Sequence, residues 1–196
     1  MTGARRLSQA ISEGDGISVI VRVADGGSAA EAERQGAEGI FLEGPVEGGR
    51  EATGLPIICR TDVPEDAANA GADAWILVAE HVHEEGERLE ELYGLAPTLG
   101  LECVVDVRDE EELELVLERI DPEIFLLSPR EAEEGEEPLD RVLELLPDVP
   151  AGKLAIAELH ATTREEVAAL ERAGVDAVLV ATGNVAELVG GAPPAV

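Results

Sequence analysis

Lysine is nearly absent from this chain: Lys153 is the only one among 14 basic residues. Any chemistry that needs an imine to lysine therefore has a single candidate. Aromatic residues make up 2% of the sequence, so Val, Leu, Ile and Ala must supply the core. The two cysteines, Cys59 and Cys103, fall inside apolar runs, where cysteine acts as a small buried hydrophobe, and no disulfide is expected. No stretch reaches 18 uncharged apolar residues, and the opening MTGARRLSQAISEG has no apolar signal core, which predicts a cytoplasmic chain. Basic charge is scarce too. With 43 acidic residues the formal charge is −29, a field that repels nucleic acid and anionic membranes, so neither is an expected partner. The same composition fits a salty or GC-rich-coded cytoplasm, so the charge describes habitat as readily as function. The Glu runs at 84–91, 110–114 and 131–137 read as solvated helix faces and a loop.

What the sequence has in abundance is repetition. Residues 163–182 read TREEVAALERAGVDAVLVAT: an amphipathic helix, an Ala-Gly break, then an apolar strand. The same unit recurs at 29–44 (AAEAERQGAEGIFLEG) and 65–80 (EDAANAGADAWILVAE), and at 109–128 with Ile-Asp-Pro in place of the corner. The glycine supplies a left-handed helix end, and the acidic residue after it is expected to bond backbone groups freed as the chain reverses. The runs IFL, WILV, IFLL and AVLV are continuously apolar rather than alternating, which suits strands covered on both faces of a parallel sheet.

Strands are predicted at 18–24, 39–42, 56–60, 74–79, 102–107, 124–127, 154–158 and 177–180. Helical patterns lie at 28–35, 64–70, 84–97, 109–119, 137–146, 163–173 and 184–189, while EGPVEGGREATG is too short and Gly-rich for a full second helix. Even-numbered strands follow the helix-corner unit and odd-numbered ones a Gly-containing turn, so a β-α-β-α module is used four times. This predicts one minimal (β/α)8 barrel domain over residues 1–196, with the second helix short or missing and no long N-terminal extension. An open doubly wound sheet fits less well, because ADGGSAAEAE after the first strand lacks G-x-G-x-x-G.

In such a barrel, functional groups gather at the carboxyl ends of the strands, and inward side chains form layers from alternate strands. The odd strands contribute Arg22, Arg60, Asp106 and Glu158 at matched depth. Two arginines and two carboxylates there describe either a site or a charge-balanced plug. Lys153 precedes strand seven, at the opposite end, which argues against Schiff-base chemistry. His81 and His83, with Glu80 or Glu84, have spacing that a divalent metal would accept, but His160 lies nearly across the barrel. They read as surface histidines, and neither metal nor cofactor is expected.

The runs GLECVVDVRDEEELELVLE, AGADAWILVAE and REEVAALERAGVDAVLV resemble segments of indole-3-glycerol-phosphate synthase. That tryptophan-pathway barrel closes an indole ring on an anthranilate-derived ribulose phosphate, with loss of carbon dioxide and water. LPIICRTD is similar to its third strand and IFLLSPRE to its sixth, so the resemblance spans roughly residues 17–185. It implies a carboxy-lyase in which Asp106 stands for the glutamate of Val-Glu-Val-His, with Arg108 for the histidine. Glu158 retains the glutamate of Ser-Glu-Ser-Gly, with His160 at the glycine, and Ser128 opens the segment in which Arg130 retains a family arginine. The first-strand Glu-Ile-Lys reads Arg22-Val23-Ala24, and the third-strand Arg-Lys-Asp reads Cys59-Arg60-Thr61. Arg60 can hold an anion but is a poor proton donor.

By the same resemblance, Thr182, Gly183 and Asn184 occupy the phosphate-binding turn after strand eight, giving a small anionic sugar phosphate as the expected ligand. Glu158, Asp106 and Arg60 are then the catalytic candidates, and Arg22, Ser128, Arg130, Thr182, Gly183 and Asn184 the substrate-binding ones. Two readings stand beside catalysis. One is a non-catalytic relative that binds a small phosphorylated or carboxylated metabolite. The other is an assembly role, in which a second strand left exposed by the short second helix packs on another chain, as in a homodimer.

Overall fold

The computed structural model describes residues 6–14, 16–82, 86–128, 137–159, 162–181 and 185–189. Its strands are β1 (Ser18–Val23), β2 (Gly39–Glu43), β3 (Ile57–Arg60), β4 (Ala74–Val78), β5 (Glu102–Val107), β6 (Ile124–Leu127), β7 (Leu154–Glu158) and β8 (Ala177–Val180). They form a closed parallel barrel in sequence order, and β8 returns to β1 with Ser18 beside Ala177 and Val21 beside Val180. The helices are α1 (Leu7–Ser12), α2 (Gly26–Arg34), α3 (Gly49–Ala52), α4 (Pro64–Asn69), α5 (Gly86–Thr98), α6 (Glu110–Arg119), α7 (Pro138–Leu145), α8 (Arg164–Ala173) and α9 (Val185–Val189). All eight predicted strands are present, and the predicted bounds differ by at most one residue at an end.

The apolar runs divide by parity. Ile20, Phe41, Ile58, Val104, Leu126, Ile156 and Leu179 fill the barrel interior. Their neighbours Val19, Val21, Leu42, Val105, Leu127 and Val178 pack outward against the helices. Both faces are covered, so neither alternates with polar residues.

The three Gly corners share one geometry. Gly36, Gly71 and Gly174 adopt φ of 98°, 76° and 97°. The next N–H groups, of Ala37, Ala72 and Val175, close back on the helix carbonyls of Ala32, Ala67 and Leu170. The acidic residue was expected to satisfy backbone freed at its own corner, but these bonds already do so. At two of the three corners the carboxylate reaches the neighbouring strand instead: Asp73 accepts from the Ile57 N–H and Asp176 from the Ala155 N–H, both at 2.8 Å. These two acids thereby set the starts of β3 and β7, the odd strands before their own even strands.

The short second helix is the four-residue α3, held by side-chain bonds that replace length. Arg50 meets Asp73 at 2.7 Å and donates to the carbonyls of Thr53 and Leu55, while Thr53 Oγ1 donates to Glu33. Ile40, Phe41 and Leu42 are fully buried, so the second strand is not left exposed as the assembly reading supposed. The outward-facing Leu42 and the half-buried Val46 and Leu55 belong to the shell between strands and helices.

No helix is predicted before β1, because LSQAIS is only six residues long and half of it is polar. Its Leu7 and Ile11 join the interior cluster, and Ser8 bonds to Glu102 at the start of β5, so α1 seals the amino end of the barrel. Leu7 is completely buried. Leu7→Ala should cost about 2–4 kcal/mol, read as a lower midpoint in denaturant unfolding with little change in slope.

Candidate active site

At the carboxyl end, the interior changes from hydrocarbon to charge within one residue step. The Phe41 ring is the upper surface of the apolar interior. The guanidinium carbons of Arg22 and Arg60 lie 5.0 and 4.9 Å from its centroid, a cation–π arrangement that holds both arginines flat over one ring. Arg60 is further fixed by its own strand end, since Trp75 Nε1 donates to the Thr61 carbonyl at 2.8 Å.

Glu158 is the hub. It is 8% exposed, touches Arg22 Nη2 through Oε1, lies 2.6 Å from Arg60 Nη2 through Oε2, and accepts from Ser128 Oγ at 2.7 Å. Burial alone would raise its proton affinity. The Arg60 hydrogen bond and charge, with Ser128 and Arg22, outweigh that and hold the carboxyl below the ordinary glutamate range. Arg60 shows the reciprocal effect: desolvation opposes its charge, but the contact with Glu158 and the fields of Asp106 and Glu43 raise it further.

Asp106 behaves oppositely. It is 1% exposed, its Oδ2 is 3.4 Å from Arg60 Nη2, and its Oδ1 is buried with no hydrogen-bond partner. Burial pushes its carboxyl up to about 7 despite the Arg60 charge and the Ser128 hydroxyl, and Glu158 and Glu112 add to the rise. Two carboxylates on one arginine thus differ in protonation near neutrality. Divergent pairs of this kind separate acid from base in active sites.

The predicted layer of Arg22, Arg60, Asp106 and Glu158 is therefore assembled, and Ser128 joins it. Glu43, which closes β2, was missed because only the odd strands were read at that depth. It bridges the two arginines from the solvent side, 2.9 Å from Arg22 Nη1 and 3.3 Å from Arg60 Nη1. Its signal was available: Glu43 is a charge ending the apolar run GIFLE, as the other four are at their strands. Arg108, at the family's histidine position, turns aside to pair with Glu80. Lys153 is at the far end, 2.7 Å from Asp121 ahead of β6, so it is remote from the mouth as expected.

Arg130, Thr182, Gly183, Asn184, His83 and His160 lie outside the described residues, as does the His81 side chain. Among the described residues no group of three or more His, Cys, Asp and Glu is placed to hold a metal. Burial pushes Cys59 up to about 11 and Cys103 up to about 12, so both remain thiols, and both are free. No helix among the described residues is long and apolar enough to cross a membrane.

Comparison with solved structures finds two chains of similar fold. An N-acetylmannosamine-6-phosphate 2-epimerase from Clostridium perfringens superposes with a TM-score of 0.69 at 18% identity, over 87% of this chain and 88% of that one. A thiamine phosphate pyrophosphorylase from Pyrococcus furiosus gives 0.64 at 15%, over 93% and 92%. Those identities speak for the fold alone. Sequence relatives are more specific. The indole-3-glycerol phosphate synthase of Shouchella clausii is 35% identical over 116 residues, 59% of this chain and 45% of that enzyme. The one from a Geobacillus species is 32% identical over 136 residues, 67% and 52% respectively. The chain thus spans about half the length of the curated relatives it matches. The family model for indole-3-glycerol phosphate synthase matches residues 57–186, from β3 into α9, and on that match over most of its length the chain belongs to the indole-3-glycerol phosphate synthase family.

Proposed function

We propose that the barrel mouth is an acid–base site for a small anionic substrate of the synthase type. On this reading it carries out ring-closing decarboxylation of an anthranilate-derived ribulose phosphate, a carbon–carbon lyase reaction. One observation carries the proposal: Asp106 and Glu158 share Arg60 yet hold protons with opposite tendencies. The reaction needs an acid that protonates the substrate carbonyl and then helps water leave, and a base that takes up a proton as the ring forms. Lysine fills the acid role in the resemblance, and Arg60 stands in its place. Its guanidinium, raised further by Glu158, does not release a proton at working pH. The acid function passes to Asp106, whose buried Oδ1 has no hydrogen-bond partner of its own. Glu158 remains ionised as base, and Arg22 and Arg60 supply fixed positive charge beside the developing anion.

The lysine replacement also supports a second reading, in which the chain is a non-catalytic relative that binds a small carboxylated or phosphorylated metabolite through the same arginines. Turnover of the ribulose phosphate, followed as indole product fluorescence, separates the two. Product is the expected result. Thermal protection by the substrate without product would establish the second reading instead.

Asp106→Asn should lower kcat by about 10²–10⁴-fold, since an amide cannot act as the acid. In the wild type, kcat should fall as pH rises through about 7, where Asp106 loses its proton. Glu158→Gln should abolish product while the substrate still raises the melting temperature.

Asp106 also predicts a pH dependence of stability. Its folded-state proton affinity exceeds that of an unfolded aspartate, so the folded protein binds the extra proton and stability falls as pH climbs from the ordinary aspartate range to about 7. The full loss should be on the order of 4 kcal/mol, from roughly 1.4 kcal/mol per pH unit. Denaturant unfolding at pH 5 and pH 8 should show about 3 kcal/mol of it in the wild type and none in Asp106→Asn.

A further inference from the structure

Both arginines reach Glu158 through Nη2, and both Nη1 groups reach a single oxygen, Glu43 Oε1, with Arg60 Nη1 also donating to Glu158 Oε1 at 3.3 Å. We propose that these Nη1 groups form a two-point oxyanion site whose resident occupant is the Glu43 carboxylate, and that a small carboxylate ligand binds by taking Glu43's place. The inference rests on the reading of the mouth as the binding site and adds what the site recognises and what holds it before the ligand arrives.

Glu158 and Glu43 touch the same arginines but differ in what their departure would leave. Glu158 is buried and also held by Ser128, so moving it would strand charge in the interior. Glu43 is 47% exposed and ends its strand. Gly44 follows at φ 93°, and nothing lies within 4 Å of where its Cβ would be. Glu43 can therefore swing into water without leaving a buried ion, and an ion pair this exposed contributes little to stability. The arginines would stay in place, because Phe41 and Glu158 hold them from below. Donors fixed in advance favour a ligand by lowering the cost of ordering them.

The charge balance favours an acid as well. With Glu43 withdrawn and Asp106 protonated, two guanidinium groups face one carboxylate, leaving one positive charge for the ligand. The resident is a carboxylate, so the same geometry selects a carboxylate rather than a bulkier tetrahedral anion.

The test is calorimetric titration of benzoate, a carboxylate with no phosphate, into the full chain at pH 6.5 and fixed salt. A site that its own glutamate fills about nine-tenths of the time binds about tenfold more weakly than a free one. Glu43→Gln should therefore bind benzoate about tenfold more tightly than the wild type. Glu47→Gln removes the same charge from an exposed position on the same loop and should stay within about twofold of the wild type. No gain in Glu43→Gln with its melting temperature kept, or an equal gain in Glu47→Gln, would overturn the proposal. Inorganic phosphate titrated in parallel should bind Glu43→Gln more weakly than benzoate; tighter binding would overturn the choice of a carboxylate. These readouts need no turnover, so absence of indole product with the benzoate gain intact would remove the lyase reading and leave this site standing.

Discussion

The contact between Arg60 and Glu158 is the constraint on which the mouth depends. A buried carboxylate is tolerated only where opposite charge and hydrogen bonds replace water. Here the replacement comes from three other strand ends: Arg22 near the end of β1, Arg60 closing β3 and Ser128 after β6. Elements far apart in the chain are thereby fixed to one point. The arginines can approach it because Phe41 gives them a flat, electron-rich surface beneath. The opposite end of the barrel is closed differently, by Leu7 and Ile11 of α1 packing into hydrocarbon. One end is sealed by exclusion of water, the other by compensation of charge.

The architecture was readable because its signals are local and repeated. A left-handed glycine after an amphipathic run and before an apolar run has few structural meanings, and three copies, with a fourth unit that carries Ile-Asp-Pro at its corner, imply a series of βα units. Reading strand ends by depth then brought Arg22, Arg60, Asp106 and Glu158 together, because a pleated strand of known register fixes which residues point inward. What escaped depended on contacts distant in sequence. The corner acids bond a neighbouring strand rather than their own turn, which no local pattern reveals. The six residues of α1 carry too little periodicity to declare a helix, and their burial comes from a barrel floor formed by other strands. Glu43 belongs to an even strand, yet meets the arginines because the tilt of the strands sets Glu43 beside Arg60 in register.

Arginine in place of lysine changes the division of labour in the mouth. A lysine desolvated among like charges can be brought to release its proton, whereas a guanidinium cannot. Arginine offers geometry in return: Arg60 spans Glu43, Asp106 and Glu158 at once, which a single ammonium point charge would do less selectively. The resulting network is rigid and permanently charged, so any proton transfer must be done by the carboxyl groups it holds.

That requirement explains why the two carboxylates differ. Arg60 has Nη2 within 2.6 Å of Glu158 but 3.4 Å from Asp106, and Glu158 additionally receives Arg22 and Ser128. Glu158 therefore takes most of the available compensation. Asp106, buried more deeply and farther from the guanidinium, has burial as its dominant influence, which pushes its carboxyl up to about 7. Bringing Arg60 closer to Asp106 would ionise it and equalise the pair; moving Arg60 away would cost Glu158 its charge. The asymmetry in distance around one guanidinium is thus the physical source of two carboxyl groups with opposite proton affinities in the same layer.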